Sequence, residues 1–271
     1  MKNLRPKKPT WLAASLAIAV AAVGVRLVVT AKQRWDPGRT AGLVFGIAAS
    51  VLYLVDLLYP LRRKLLAFPL GNAQTWIQLH IYGGFLAFVF VLVHEGFQWP
   101  SGTLGWLLLG LSAWATLSGL LGVWLQKWIP AALSRGLQVE ALFERIPELV
   151  EKHLVEADSL MAGASEVLER FYSEDVRPAL AGIDSSWSYL TDVRSGRDRR
   201  LEPFSRIMQF LEEEERPLLE DLKAVYTEKL ELDAQYSLQN ILRIWVAIHV
   251  PPTLILFGLI VFHIWTSLSY G

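Results

Sequence analysis

Four of the chain's five histidines form two pairs of identical spacing, His80 with His94 and His249 with His263, each pair inside one apolar stretch. On an α-helix fourteen residues rise about 21 Å and stop about 40° short of four full turns. Each pair therefore lies on one helix face, with its members at two depths. A neutral imidazole binds a metal through either ring nitrogen. Two imidazoles that face each other across a helix bundle supply both axial bonds of a haem iron. Iron held that way has no vacant position for oxygen or substrate, which suits electron transfer rather than oxygen chemistry. A lone histidine in an apolar helix reads equally well as a polar contact within the bundle. Two matched pairs argue for ligation, because ionisable groups at bilayer depth are costly and are retained for function. His153, in a polar region, reads as a polar-face residue.

These histidines need helices to hold them, and the apolar residues come in blocks of the right length. Five segments are long enough for a hydrocarbon core of about 30 Å, which takes roughly 20 helical residues. They run Thr10–Thr30, Ala41–Tyr59, Thr75–Phe97, Leu104–Trp128 and Ile241–Leu268. The first follows a basic flank (Lys2, Arg5, Lys7, Lys8). Its apolar run is too long for a secretory signal and lacks a small-residue cleavage site, so a retained helix is expected. The chain has no cysteine, which excludes disulfides, cysteine-bound iron–sulfur clusters and covalent c-type haem attachment.

The 26 basic and 26 acidic residues cancel overall but are segregated. Residues 131–240 hold 13 of the former and 23 of the latter, leaving 13 and 3 elsewhere. This acidic stretch carries apolar residues three and four apart, from Val139 to Phe171 and from Phe204 to Leu230, so amphipathic helices are expected. Gly182-Ile-Asp-Ser-Ser and Arg194-Ser-Gly-Arg-Asp-Arg-Arg read as turns between them. The expected fold is all-α: an integral membrane bundle of five transmembrane helices with an extramembrane helical hairpin or small bundle inserted. Residues 1–130 would hold spans one to four, 131–240 the insert, and 241–271 the fifth span, entered almost directly from the insert's last helix. No nucleotide-binding or nucleic-acid-binding pattern is present.

Short-loop charge sets the expected orientation in an inner (cytoplasmic) membrane. With the N-terminus in the cytoplasm, the inner side collects the basic flank and Arg62, Arg63 and Lys64. The outer side has Lys32, Arg34 and Arg39. The insert would then be cytoplasmic and Gly271 outside. The third and fifth spans would run parallel, pairing His80 with His249 on the inner side and His94 with His263 on the outer.

A histidine pair of this spacing on alternate parallel helices resembles the cytochrome b core of quinol-oxidising complexes and the membrane domain of ferric reductases and NADPH oxidases. The stretch Trp245-Val-Ala-Ile-His-Val-Pro-Pro through Phe262-His-Ile-Trp is especially similar in style. The resemblance covers roughly spans two to five. It implies two b-type haems with His80, His94, His249 and His263 as axial ligands, and span one outside the four-helix bundle. The chain departs from those families in three ways. It has no flavin or nicotinamide domain after the fifth span and no Pro-Glu-Trp-Tyr quinol signature, and its acidic insert belongs to neither pattern.

Weaker signals surround this core. Gly83 and Gly84, with Gly46, Gly110, Gly119 and Gly122, offer room for a porphyrin or simply for close helix packing. Pro251 and Pro252 predict a kink after His249. Arg243, with the Arg62–Lys64 loop, is a candidate partner for haem propionates. Glu95 and Asp56 are candidates for a quinone's protons, with interfacial solvation the plainer reading of each. Trp99, Trp106, Trp128 and Trp265 fit an interfacial belt. The function expected is a membrane electron-transfer subunit, relaying electrons between a redox partner (an iron–sulfur or c-type cytochrome subunit) and a quinone or second partner. The alternative is a haem-free membrane scaffold whose helical insert docks a partner.

Overall fold

The structure is a computed structural model that describes residues 9–61, 72–136, 142–186, 189 and 194–270. In chain order its helices are α1 (Pro9–Thr30), α2 (Thr40–Leu61), α3 (Ala73–His94), α4 (Gly102–Gly136), α5 (Ile146–Leu160), α6 (Glu166–Phe171), α7 (Arg177–Leu180), α8 (Arg194–Ile207) and α9 (Arg216–Tyr270). No strand occurs among the described residues. The fold is all-α, and α1, α2, α3, α4 and α9 are each long and apolar enough to cross a membrane. The basic flank Lys2, Arg5, Lys7 and Lys8 and the loop residues Arg62, Arg63 and Lys64 lie outside the described residues. The chain divides into two compact units, Met1–Trp124 with Trp245–Gly271, and Leu125–Ile244.

In the first unit the helices turn large apolar side chains outward. Val20, Val28 and Leu117 are 71%, 61% and 66% exposed, an inversion that only a lipid surround makes favourable. The closest helix pair is α2 with α3, and α1 packs along α3. Ala22 on α1 and Val93 on α3 are buried with Trp35 from the intervening loop, and Phe45 and Phe90 close around them. Asn72 caps the start of α3, its side chain accepting from the Gln74 amide at 3.0 Å.

The end of α3 comes earlier than the apolar pattern predicts, at His94 rather than Phe97. Gly96 takes a left-handed backbone (φ 67°), and the amides of Gly96 and Phe97 return to the Val93 and Leu92 carbonyls at 2.9 Å. That is a Schellman closure, which satisfies the last carbonyls of the helix. Glycine is required there twice over, because a Cβ would also run into the Trp35 ring.

Pro251 and Pro252 do not interrupt α9, which continues as helix through both. Pro252 has no amide to offer the Ile248 carbonyl one turn back. The Trp114 indole N–H from α4 donates to that carbonyl instead, at 3.2 Å. A neighbouring helix thus supplies the bond that keeps a proline tolerable inside a span.

The second unit is a small helical bundle rather than a two-helix hairpin. A π-helical turn (Tyr172–Val176) joins α6 to α7, and the first part of α9 completes the core. Met161, Leu168, Phe171, Leu180, Phe204, Leu219 and Leu222 are all buried in that core. The expected turn at Arg194–Arg200 is instead the start of α8. Arginine is a good helix former, so one glycine near the start of the segment does not prevent a helix. The apolar stripe that seats α8 begins only at Leu201 and Phe204. Gly182–Ser186 is irregular, as the composition predicts.

Charge is managed inside this unit by pairing. Lys229 and Asp233 are both buried, with the ammonium donating to the carboxylate at 2.7 Å, and Asp233 also accepts from the Asp184 amide at 3.1 Å. His153 is not on a free polar face. Its ring nitrogens lie 3.5 Å from Glu156 and 3.5 Å from Glu228, and its side chain is 14% exposed. Arg243 donates to Glu144 at 3.1 Å and lies 4.2 Å over the Phe143 ring.

Candidate functional site

The first unit gathers the four span histidines on two helices, His80 and His94 on α3 and His249 and His263 on α9. His80 and His249 face each other with ring centroids 6.4 Å apart and planes at 90°. Two imidazoles that share one metal through bonds of roughly 2 Å, each ring centre standing about 1 Å behind its nitrogen, would have centroids about 6 Å apart. The observed centroid separation of 6.4 Å is close to that spacing.

Each ring of this pair stacks on an aromatic neighbour, and the Nδ1 of His249 is also hydrogen-bonded. Trp245, one turn before His249 on α9, stacks on it at 5.4 Å and 19°. Its indole N–H is fixed to the Ser118 carbonyl at 2.8 Å. Ser118 Oγ lies 2.6 Å from the Trp114 carbonyl and 2.8 Å from His249 Nδ1. A carbonyl only accepts, so the hydroxyl proton goes to Trp114 and the oxygen must accept from His249 Nδ1–H. That assigns the tautomer and leaves His249 Nε2 with its lone pair. On the other side Tyr59 stacks on His80 at 4.9 Å and 15°. Asp56 Oδ1 stands 3.6 Å from His80 Nδ1.

The second level shows the same logic. His94 Nδ1 lies 2.9 Å from the Gly42 carbonyl. The carbonyl can only accept, so Nδ1 carries the proton and Nε2 is free. The backbone around His94 is braced as well: Trp35 Nε1 donates to the His94 carbonyl at 3.0 Å, and Arg26 donates to the Gly96 carbonyl at 2.7 Å. His263 is half-buried on α9, and the titratable groups near it include His94 and Glu95. Metal-bound histidines characteristically donate their other ring N–H to a carboxylate or carbonyl, which orients the ring and raises its basicity. His94 makes such a bond to a carbonyl, His249 makes the equivalent one to a hydroxyl, and His80 faces a carboxylate.

The glycines have specific tenants. A Cβ at Gly46 would stand 2.9 Å from His94 ring atoms, and one at Gly119 3.6 Å from His249. A Cβ at Gly122 would collide with the Trp245 ring. A Cβ at Gly83 or Gly84 would come within 3.1 Å of an Asp56 oxygen. Gly110 faces open space. Gly46, Gly83, Gly84 and Gly122 thus leave room for His94, Asp56 and Trp245.

Asp56 departs most from its sequence reading. Instead of interfacial solvation, its side chain is 12% exposed and lies against α3. Glu95 caps the end of α3, beside His94. Arg243 belongs to the second unit and is engaged there with Glu144. Ser118, Tyr59 and Trp35 carry no signal of their own in the sequence, since a serine or an aromatic in a span is ordinary. Trp245 does have one, standing four residues before His249 on the same helix face. Among the described residues no cluster of three or more His, Cys, Asp or Glu side chains is arranged to hold a metal ion. The arrangement present is one of facing pairs. Comparison with protein-family models, curated proteins and solved structures gives no match to this chain.

Proposed function

We propose that the chain is a di-haem b-type cytochrome subunit that carries electrons across or into a membrane, between a redox partner subunit and a quinone or second partner. The observation that carries this reading is the His80–His249 pair, with rings 6.4 Å apart and the His249 tautomer held with Nε2 free by Ser118. His80 and His249 would hold one haem, and His94 and His263 the other. Haem supplies a reversible one-electron couple when bound in this way. The protein's part would be to hold two imidazoles per site at one depth and orient their rings, which would leave no position open to water or oxygen. The about 21 Å rise between the two histidine levels distributes the two sites across the membrane. Orientation follows short-loop charge, with the N-terminus and the acidic unit in the cytoplasm and the C-terminus outside. A cytoplasmic membrane is the proposed location.

The test is a pyridine haemochrome assay on purified protein, with single alanine replacements of the four histidines. Two non-covalent haems per chain are expected. His80→Ala and His249→Ala should lose the same spectral component, and His94→Ala and His263→Ala the other. Protein that stays colourless after haem supplementation favours the scaffold reading. Well-folded His80→Ala and His94→Ala variants that lose the same haem overturn the pairing.

A further inference from the structure

Asp56 brings a carboxyl group into an apolar span, and its Oδ1 lies beside the His80 ring. It lies on α2, which packs closely along α3. Gly83 and Gly84 of α3 form the notch that admits its carboxylate, with an ideal Cβ at either position only 3.1 Å from one of its oxygens. Three residues further along α2, Tyr59 stacks on the face of His80, so one helix face supplies both the charge and the ring that flank this imidazole. Asp56 Oδ1 and His80 Nδ1 are both buried, and neither has another hydrogen-bond partner. At 3.6 Å they are too far apart for a formed bond. Leaving two buried polar atoms unpaired costs more than a small side-chain rotation that would bring them together.

We infer that Asp56 is a positioning residue for His80: its carboxylate accepts the His80 Nδ1–H and lowers the reduction potential of the haem held by His80 and His249. This rests on the di-haem reading and goes beyond it. His94 and His249 donate to neutral oxygens, from Gly42 and Ser118, so a carboxylate at Nδ1 sets His80 apart from both. A fixed negative charge beside an axial ligand stabilises the oxidised centre, which carries one more positive charge than the reduced one. Low dielectric at bilayer depth strengthens that effect. A histidine bonded to a carboxylate is also the more basic ligand.

The experiment is a potentiometric titration of the full-length protein, with low-spin ferric EPR spectra of the same samples. Asp56→Asn keeps shape and an acceptor oxygen while removing the charge. Both haems should be retained and one potential should rise by about 59 mV or more, a tenfold change in the ratio of oxidised to reduced for one electron. The EPR signal of that haem alone should move. Gly84→Ala, whose Cβ would stand 3.1 Å from Asp56 Oδ2, keeps the carboxylate but displaces it by a few tenths of an ångström and should move the potential of the same haem alone. It reads the effect independently if the asparagine variant does not assemble. Two haems with unmoved potentials in these variants overturn the role of Asp56 and leave the di-haem reading intact. Wild-type protein that takes up no haem overturns both.

Discussion

At the scale of single residues, aspartate shows how the surroundings assign work to one side-chain type. Asp56, in a span, faces an imidazole. Asp233, in the second unit, is buried and neutralised by Lys229. Asp158 lies at the surface of that unit, accepting from Arg177 at 2.8 and 3.1 Å and from the Tyr172 hydroxyl at 2.6 Å. The Arg177 guanidinium, followed by the Tyr172 hydroxyl, holds the Asp158 carboxyl below the ordinary carboxylate range. A folded-state pKa below the unfolded value adds stability that is present above the unfolded value, about 3.9, and is lost as pH falls through the folded one. Asp158→Asn should therefore loosen the α5–α7 contact modestly at neutral pH, since a solvent-screened pair contributes little. The difference from wild type should begin to shrink as pH falls below about 3.9 and vanish only once pH is below the depressed folded-state value. Hydrogen exchange of residues 146–180 in the intact chain measures it, and a difference that persists unchanged at low pH contradicts the assignment.

At the scale of elements, α4 acts on α9 through small residues. Gly122 leaves space for the Trp245 ring, Trp245 stacks on His249, and Ser118 holds both the Trp245 indole and the His249 Nδ1. Trp114, on the same helix, satisfies the carbonyl that Pro252 frees. These contacts tie the span of α9 to α4 around His249 without any ion pair. Gly122→Ala should force Trp245 from its place, at about 1–3 kcal/mol for overpacking, and weaken retention of the haem assigned to His249. Gly110→Ala, on the same helix but facing open space, should change nothing. Haem content and the separate spectral components of the two variants measure this. Equal loss in both would mean that α4 glycines serve general helix packing.

At the scale of the whole molecule, two units of opposite character share one chain. The first exposes apolar side chains over most of its helices, and the second buries them behind a charged surface. Two helices, α4 and α9, belong to both units. The proposed orientation makes a direct expectation for impermeant thiol labelling, which the absence of native cysteine makes clean. In intact cells or right-side-out vesicles Ser269→Cys should be labelled from outside and Ser159→Cys only after the membrane is opened. Labelling of Ser159→Cys from outside would reverse the orientation and leave the histidine pairing untouched.

The amino-acid sequence by itself determined the five apolar helices and the all-α fold, because apolar length and a period of three to four residues are properties of one segment at a time. It also determined that His80 and His94 share a face, as do His249 and His263, since spacing within a helix follows from helical geometry alone. Tertiary structure decided what each imidazole meets. Whether Nδ1 finds Asp56, Gly42 or Ser118 depends on the rotation and depth of a neighbouring helix, and no period within one segment encodes either. For the same reason Asp56 read as a solvated end residue until Gly83 and Gly84 were placed opposite it, and the glycines read as generic gaps until their tenants were known. The start of α8 was missed for a different reason. A charged turn of helix has no apolar stripe to announce it, and the contacts that hold α8 in place, Leu201 and Phe204 in the core and Arg200 with Asp184, are long-range.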